Sequence, residues 1–280
     1  MAMFEIPEDA SLVALATDIE AAGETPEHAL MAVGVAVVAV CPRGIRVCGT
    51  ARFGGWRIGS RRFSLRCAQD YLTHANDESA DPAYWAEKRI QTATVLQWSN
   101  LHKYPRVEPF AYDGGACEDG CTGACVACQK EIERENEAYG QWLQFRRNVH
   151  DECVHRNIEF KQVVDNGTFD FGWFMAIATR SGLCPPTYLY KDSDGHCHKY
   201  MSTQEIDWLV GSFVNGICFS QQMPRVDVWS YDGLRNFLKE EIALPPCPAE
   251  HTHIPEEDAT TIAWTFAALW HLIRDGRFEQ

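Results

Sequence analysis

The sequence predicts an α/β protein in which a mixed sheet is flanked by helices. The first forty residues contain apolar runs of strand length, separated by polar residues. Later segments carry apolar residues at intervals of three and four, which is typical of helices that cover a core. The predicted order is three strands, then helices, then one strand and further helices, and this order fits a sheet with helices packed on it.

The three N-terminal strands are expected to form an antiparallel meander. Residues 11–19 form the first strand, and ALMAVGVAVVAV at 29–40 forms the second, which is apolar throughout and therefore buried on both faces. CPRG at 41–44 is typical of a turn, and GIRVCGTARF returns as the third strand.

The remaining elements are mostly helical. A short strand at FKQVV ends in a polar break at residues 165–168. Helical spacing of apolar residues predicts helices at 82–98, 136–157, from about 169 onward, at 230–242 and at 256–276. With a central five-stranded sheet, residues 1–280 are expected to form a single domain, interrupted by a Cys-rich insertion at 102–131.

Composition limits the classes of function. The chain has 280 residues, is 46% hydrophobic and 23% charged, and carries a formal net charge of −14. Such a charge disfavours a protein that coats nucleic acid through many phosphate contacts, although an enzyme with local basic residues remains compatible with it. No apolar run approaches the ~18 residues of a membrane span, and the N-terminus lacks the layout of a secretory signal. We therefore expect an intracellular protein without membrane contact, with reduced thiols.

The first chemical signal lies in SLVALATDIEAAG, residues 11–23. Asp18 and Glu20 are two residues apart at the end of a predicted strand, so their side chains point to the same face. Two carboxylates on one face repel each other and resist burial unless a cation lies between them. A divalent metal ion is one such cation.

Two further acidic segments follow a similar local pattern. In VVDNGTFDFGWF, Asp170 lies near the start of a predicted helix, and in EHTHIPEEDATTIAWTF, His253 precedes Asp258 in the first turn of the last helix. Either segment alone is compatible with an ordinary helix start, where acids complement the helix dipole.

Together, the three segments resemble the DEDDh family of 3′→5′ exonucleases, within the ribonuclease H-like superfamily. That family has Asp-x-Glu at the end of its first strand, a later Asn-x-x-Phe-Asp, and a final His-x4-Asp inside the last helix. The corresponding stretches here are Asp18-Ile19-Glu20, Asn166-Gly167-Thr168-Phe169-Asp170, and His253 with Asp258. The ordered set spans residues 11 to about 275.

The resemblance implies a ribonuclease H-like fold and hydrolysis of phosphodiester bonds at the 3′ end of single-stranded or 3′-ended DNA or RNA, releasing nucleoside monophosphates. It further implies two Mg²⁺ or Mn²⁺ ions acting together, with His253 as the general base. The implied metal ligands are Asp18, Glu20, Asp170 and Asp258. The implied substrate contacts are Asn166, Phe169 and the backbone at Ala21, where Ala21-Ala22-Gly23 replaces the family's usual Thr or Ser.

The Cys-rich insertion is a separate signal. Cys117, Cys121, Cys125 and Cys128 lie within twelve residues, among glycines that permit tight loops. Four thiolates of this kind suit a structural Zn²⁺. An iron-sulfur centre, an oxidised pair, or incidental free thiols in a Gly-rich loop are the alternatives.

Several functional alternatives remain open on sequence alone. The protein could trim RNA rather than degrade DNA, or could be a non-catalytic scaffold of the same fold that binds nucleic acid or protein through the insertion. A ribonuclease H-type endonuclease is disfavoured by the spacing of His253 and Asp258. A set of arginines either forms a solvated strand face or steers phosphates toward the acids; these are Arg52, Arg57, Arg61, Arg62 and Arg66.

Overall fold

A computed structural model describes residues 4–21, 30–54, 126–205, 245–250 and 254–275. The predicted helices at 82–98 and 230–242 lie outside these ranges, as does most of the Cys-rich insertion. Within the described ranges, the strands and helices in chain order are β1 (Leu12–Ala21), β2 (Leu30–Cys41), β3 (Gly44–Gly54), α1 (Val126–His155), β4 (Glu159–Val164), α2 (Gly167–Ser181), β5 (Tyr188–Lys191), β6 (Cys197–Tyr200), β7 (Thr203–Glu205) and α3 (Pro255–Asp275).

The protein has an α/β fold built on a five-stranded mixed sheet, as predicted. The strand order is β3-β2-β1-β4-β7. The β1–β2 and β2–β3 pairs are antiparallel, whereas β1–β4 and β4–β7 are parallel. The strands β5 and β6 form a separate two-stranded antiparallel sheet. The first three strands therefore form the predicted meander, and β4 is added to it in parallel through a long connection.

Two element boundaries differ from the predicted ones for identifiable reasons. The helix α1 begins at Val126 rather than at residue 136, because its first turns contain good helix formers but few apolar residues to mark a period. The helix α2 begins at Gly167 rather than at 169. The Asn166 side chain accepts a hydrogen bond from the backbone N–H of Phe169 at 3.2 Å and thereby caps α2.

The central strands β1 and β2 are buried on both faces of the sheet. Alternate residues of β1 point to opposite sides, so Val13 and Leu15 join a core with α1 and α2, whereas Ala14 and Ala16 join a core with α3. The first of these cores contains the aromatic rings of Tyr139, Trp142, Trp173 and Phe174. Burial from both sides explains why β1 and β2 are apolar along nearly their whole length.

The buried carboxylate of Glu135 on α1 joins this helix to α2 and to the start of β2. Glu135 on α1 accepts a hydrogen bond from the backbone N–H of Leu30 at 2.9 Å. The Arg180 guanidinium of α2 donates to the other oxygen of Glu135 at 2.6 Å. Both oxygens of this carboxylate are therefore engaged, which offsets its desolvation and ties three elements together.

Within the described ranges, no helix combines the length and the apolar composition required to cross a membrane.

Candidate metal centre

The predicted acidic residues meet at the edge of the sheet where β1 and β4 end. These strands are parallel, so their carboxyl ends lie on the same side. The last register pair is Ala16 with Val163, and β1 continues five residues beyond it. Asp18 and Glu20 lie on this extension, while Asp165 follows directly after β4. The carboxyl ends of parallel strands are a common location for ligand sites in α/β proteins.

The helix α2 brings Asp170 to this edge. The cap at Asn166 starts the helix immediately after β4, and Asp170 falls in its first turn. The backbone N–H of Asp170 donates to the Asn166 carbonyl at 3.0 Å. Asp170 is only 1% exposed, and its carboxylate accepts a hydrogen bond from the backbone of Ile19 in β1. A short strand-to-helix connection therefore places this carboxylate against β1.

The helix α3 brings Asp258 from the opposite face of the sheet. Its first turn rests on Gly34 of β2, where an added Cβ would lie 2.0 Å from the backbone carbonyl carbon of Pro255. Gly34 is the register partner of Asp18 in the β1–β2 pair. The missing side chain therefore lets the start of α3 lie directly beside Asp18. Asp258, in that first turn, is 2% exposed.

Five carboxylates form two groups that share Asp18. In one group, the ligand oxygens of Asp18, Glu20 and Asp258 all lie within 4.8 Å of one another. In the other, those of Asp18, Asp165 and Asp170 meet the same limit. Four of the five residues are the predicted metal ligands, contributed by three segments that are far apart in sequence.

This arrangement is electrostatically costly without a cation. Burial raises the pKa of Asp18 well above its usual value, and the charge of Glu20 raises it further, followed by Asp165, Asp170 and Asp258. Burial likewise raises the pKa of Asp170, with the charge of Asp165 and a hydrogen bond between these two carboxyl groups as further causes. The carboxylates therefore oppose each other's ionisation at neutral pH.

The donor set fits a hard divalent cation. Among the described residues, Oδ2 of Asp18 and Oδ2 of Asp170 are buried and have no hydrogen-bond partner. A buried carboxylate oxygen without a partner costs free energy, which coordination to a cation would remove. Oxygen-only ligands suit Mg²⁺ and Mn²⁺ rather than softer metals.

The other predicted site residues lie partly near the carboxylates and partly outside the described ranges. Ala21 is buried at the end of β1, and Phe169 lies half-buried in the first turn of α2. Asn166 is exposed, and its side-chain oxygen serves as the cap of α2. His253 lies outside the described residues, and so do three of the four clustered cysteines; the fourth, Cys128, lies in the first turn of α1.

Of the arginine set, only Arg52 falls within the described residues. It is the register partner of Gly34, so Asp18, Gly34 and Arg52 lie in one row across three strands. Its Nε lies 3.7 Å from Oε2 of Glu256 in the first turn of α3, and both side chains are 22% exposed. Arg52 thus contacts the start of α3, as a partly buried strand residue rather than a fully solvated one.

Sequence reasoning missed Asp165. It lies in the polar break predicted before α2 and belongs to none of the three motif stretches. The signal available was its position, since it directly follows an apolar strand that is parallel to β1 and ends at the same edge.

In comparisons with known proteins, no family model and no curated protein matches this sequence.

Proposed function

We propose that this protein is a metal-dependent 3′→5′ exonuclease of ribonuclease H-like fold, acting on the 3′ end of DNA or RNA and releasing nucleoside monophosphates. The observation that carries the proposal is the convergence of Asp18 and Glu20, Asp170, and Asp258 from three distant segments. Convergence of these four is what the sequence resemblance requires. A coincidental set of acids would have no reason to share one edge of the sheet.

The architecture is compatible with the proposed fold. The resemblance implies a central five-stranded mixed sheet flanked by helices, and the chain has such a sheet with helices on both faces. The first acidic pair lies at the end of the first strand, and the other two acids lie in the first turns of helices, in the expected order along the chain.

Each side chain has a definable task in this proposal. Asp18, Glu20, Asp170 and Asp258 would hold two Mg²⁺ or Mn²⁺ ions, which supply an activated water, neutralise charge on the phosphoryl oxygens and assist the departing oxygen. His253 would accept the proton of the attacking water, because the ordinary pKa of an imidazole suits proton transfer near neutral pH. Asn166, Phe169 and the backbone at Ala21 would contact the terminal nucleotide.

The half-buried Phe169 and the exposed Asn166 lie next to Asp170, where a bound 3′ end would lie. The Asn166 carbonyl and its side-chain oxygen are engaged in starting α2. Its side-chain amide nitrogen is therefore the group that would contact a nucleotide.

We also propose a structural zinc ion bound by Cys117, Cys121, Cys125 and Cys128, and an intracellular location in which these thiols stay reduced. Elemental analysis of the purified protein should give about one zinc per chain, reduced in a Cys125→Ser variant. A native protein without zinc would contradict this assignment. Cys48→Ser, outside the cluster, is the control and should leave the zinc content unchanged.

The function can be tested on purified full-length protein. Single-stranded DNA and RNA labelled at the 5′ end should be shortened stepwise from the 3′ end with Mn²⁺ and left intact with EDTA. Internal cuts, or digestion that persists in EDTA, would exclude the proposed mechanism. Intact substrate under all conditions would favour the non-catalytic scaffold instead. The DNA and RNA arms also identify the preferred sugar.

A matched pair of variants separates the site from nonspecific effects of charge. Asp258→Asn removes one buried carboxylate of the centre, whereas Asp194→Asn removes an exposed carboxylate in the turn between β5 and β6. We expect the first to lower the rate by at least about a hundredfold, as for loss of a group that stabilises the transition state, and the second to leave it unchanged.

A further inference from the structure

The group formed by Asp18, Asp165 and Asp170 contains one carboxylate that the proposed nuclease motif does not explain. Asp165 has a ligand oxygen within 4.8 Å of those of the other two residues. It also shares a hydrogen bond with Asp170. It is partly exposed, whereas Asp170 is nearly fully buried. Asp165 therefore lies at the solvent side of this group.

A purely local role does not account for this placement. Oδ1 of Asp165 accepts a hydrogen bond from the backbone N–H of Asn166 at 2.6 Å, as many turn residues do. The cap of α2, however, is supplied by Asn166 and not by Asp165. Any turn-forming residue could serve at position 165 without adding a carboxylate to a cluster of like charges.

A second observation indicates a ligand at this group. Asp170 is 1% exposed, and its Oδ2 has no hydrogen-bond partner among the described residues. The carboxylates of Asp165 and Glu20 lie near it and both raise the pKa of Asp170. A buried, unpartnered carboxylate oxygen beside two further carboxylates is the environment that a divalent cation stabilises.

We propose that Asp165 is a fifth carboxylate ligand of the metal centre. With Asp18 and Asp170 it forms one divalent-cation position, and Asp18 with Glu20 and Asp258 forms the other. The inference rests on the proposed function, because it concerns the same centre. The inference goes beyond the proposed function because it adds to the centre a residue that lies outside the motif.

The assignment predicts that the two positions respond to different variants. Removing the charge at residue 165 should lower the cation affinity of the position that contains Asp170 and leave that of the position with Asp258 unchanged. Glu20→Gln should do the reverse. Loss of even an indirect partner commonly lowers metal affinity 10–100-fold, so loss of a ligand should cost at least about tenfold.

Mn²⁺ titrations of the full-length protein test this without any nucleic acid, with free Mn²⁺ measured by its electron paramagnetic resonance signal. The wild-type protein and Asp194→Asn should bind two Mn²⁺ ions per chain. Asp165→Asn and Glu20→Gln should each weaken one of the two, at least about tenfold. Wild-type affinities for both ions in Asp165→Asn, or fewer than two Mn²⁺ ions in the wild type, would overturn the inference.

A folding control and an activity assay keep the outcomes separate. If circular dichroism shows that Asp165→Asn is unfolded, Asp165→Ser takes its place, since its hydroxyl can still accept the N–H of Asn166. Metal-dependent shortening of nucleic acid by the wild type, with unchanged Mn²⁺ binding in the variant, contradicts the role of Asp165 alone. Weakened Mn²⁺ binding in the variant, with no nuclease activity in the wild type, contradicts the function alone.

Discussion

Gly34 pairs with Asp18 across the antiparallel β1–β2 ladder, so the residue beside the shared carboxylate has no side chain. The space that a side chain would occupy is filled by the backbone at the start of α3, which approaches an added Cβ to between 2.0 and 2.4 Å. The position of Asp258 relative to Asp18 therefore depends on the absence of a Cβ at Gly34.

The first prediction is that Gly34→Ala lowers both the stability of the protein and the activity of the proposed metal centre. Because the overlapping atoms belong to the backbone, the start of α3 must move and carry Asp258 with it. Overpacking of this kind costs about 1–3 kcal/mol in the free energy of unfolding, and a displacement of about 1 Å can cost a hundredfold in rate. Urea unfolding and the nuclease assay measure the two effects.

Gly140→Ala is the matched control. Gly140 lies inside α1, and an added Cβ there meets nothing within 4 Å. This change should leave activity unaltered and raise stability by up to about 1 kcal/mol, because alanine is the better helix former. A Gly34→Ala protein as stable and as active as the control would show that α3 does not depend on this close approach.

The second prediction concerns Thr17, the neighbour of Asp18 on the opposite face of β1. The indole N–H of Trp142 donates to the Thr17 hydroxyl at 3.0 Å, and both residues are fully buried. Thr17→Val keeps the shape but removes the acceptor. It should therefore cost about 1–3 kcal/mol in the free energy of unfolding, as for a buried donor left without a partner.

Thr17→Ser, which keeps the acceptor and loses a methyl group, should cost about 1 kcal/mol. Urea unfolding of the two variants compares them directly. If Thr17→Val proves as stable as the wild type, the hydrogen bond does not anchor α1 to β1. Neither variant removes a carboxylate, so both should retain Mn²⁺ binding.

Much of the fold could be predicted because buried faces of strands and helices require apolar residues at regular intervals in the sequence. The strands β1 and β2 are covered on both faces and are accordingly apolar along most of their length, and α3 packs a long apolar side on the sheet. The strand β7 could not be predicted, since three residues are too few to show a period. The early start of α1 was missed because its first turns are mostly polar.

The site was predictable to the extent that it follows a motif. Asp18, Glu20, Asp170 and Asp258 were identified because their types and spacing match a known pattern. Asp165 and Gly34 could not be identified in this way, because only the pairing of β1 with its neighbouring strands brings them beside Asp18. Asp165 lies near Asp18 because β4 is parallel to β1, and Gly34 lies opposite Asp18 in the β1–β2 pair. Pairing between distant strands is not visible in local sequence.

The third prediction is that Asp18→Asn has a larger effect than loss of any other carboxylate of the centre. Asp18 is the member common to both carboxylate groups, so its loss should weaken both proposed cation positions at once. We expect nuclease activity to fall by at least about a thousandfold and both Mn²⁺ affinities to drop in the titration described above. The circular dichroism spectrum should be unchanged, because the amide has the shape of the carboxylate.

Glu20→Gln and Asp165→Asn serve as comparisons, since each belongs to one group only. An Asp18→Asn protein that keeps one Mn²⁺ position at wild-type affinity would contradict the sharing of Asp18.

The fourth prediction links pH, metal and stability. Burial and neighbouring carboxylates raise the pKa of Asp18 in the folded protein well above the value of 3.8 expected for the unfolded chain. The folded state therefore binds the proton more tightly than the unfolded state. Stability from this group is fully present below about pH 4 and is lost as the pH rises through the raised pKa. Without metal, the cluster thus destabilises the protein at neutral and alkaline pH.

Asp18→Asn removes this cost. In EDTA, its melting temperature relative to wild type should increase from pH 4 to pH 8, with a difference at pH 8 of at least about 2 °C, which corresponds to roughly 1 kcal/mol in a protein of this size. Mn²⁺ at pH 8 should reverse the order, because it stabilises the wild type more than the variant. Thermal scans of both proteins, with Asp194→Asn as the charge control, measure how the melting temperature depends on pH and on Mn²⁺. A difference between Asp18→Asn and wild type that stays constant from pH 4 to pH 8 would show that Asp18 ionises in the folded protein as it does in the unfolded chain.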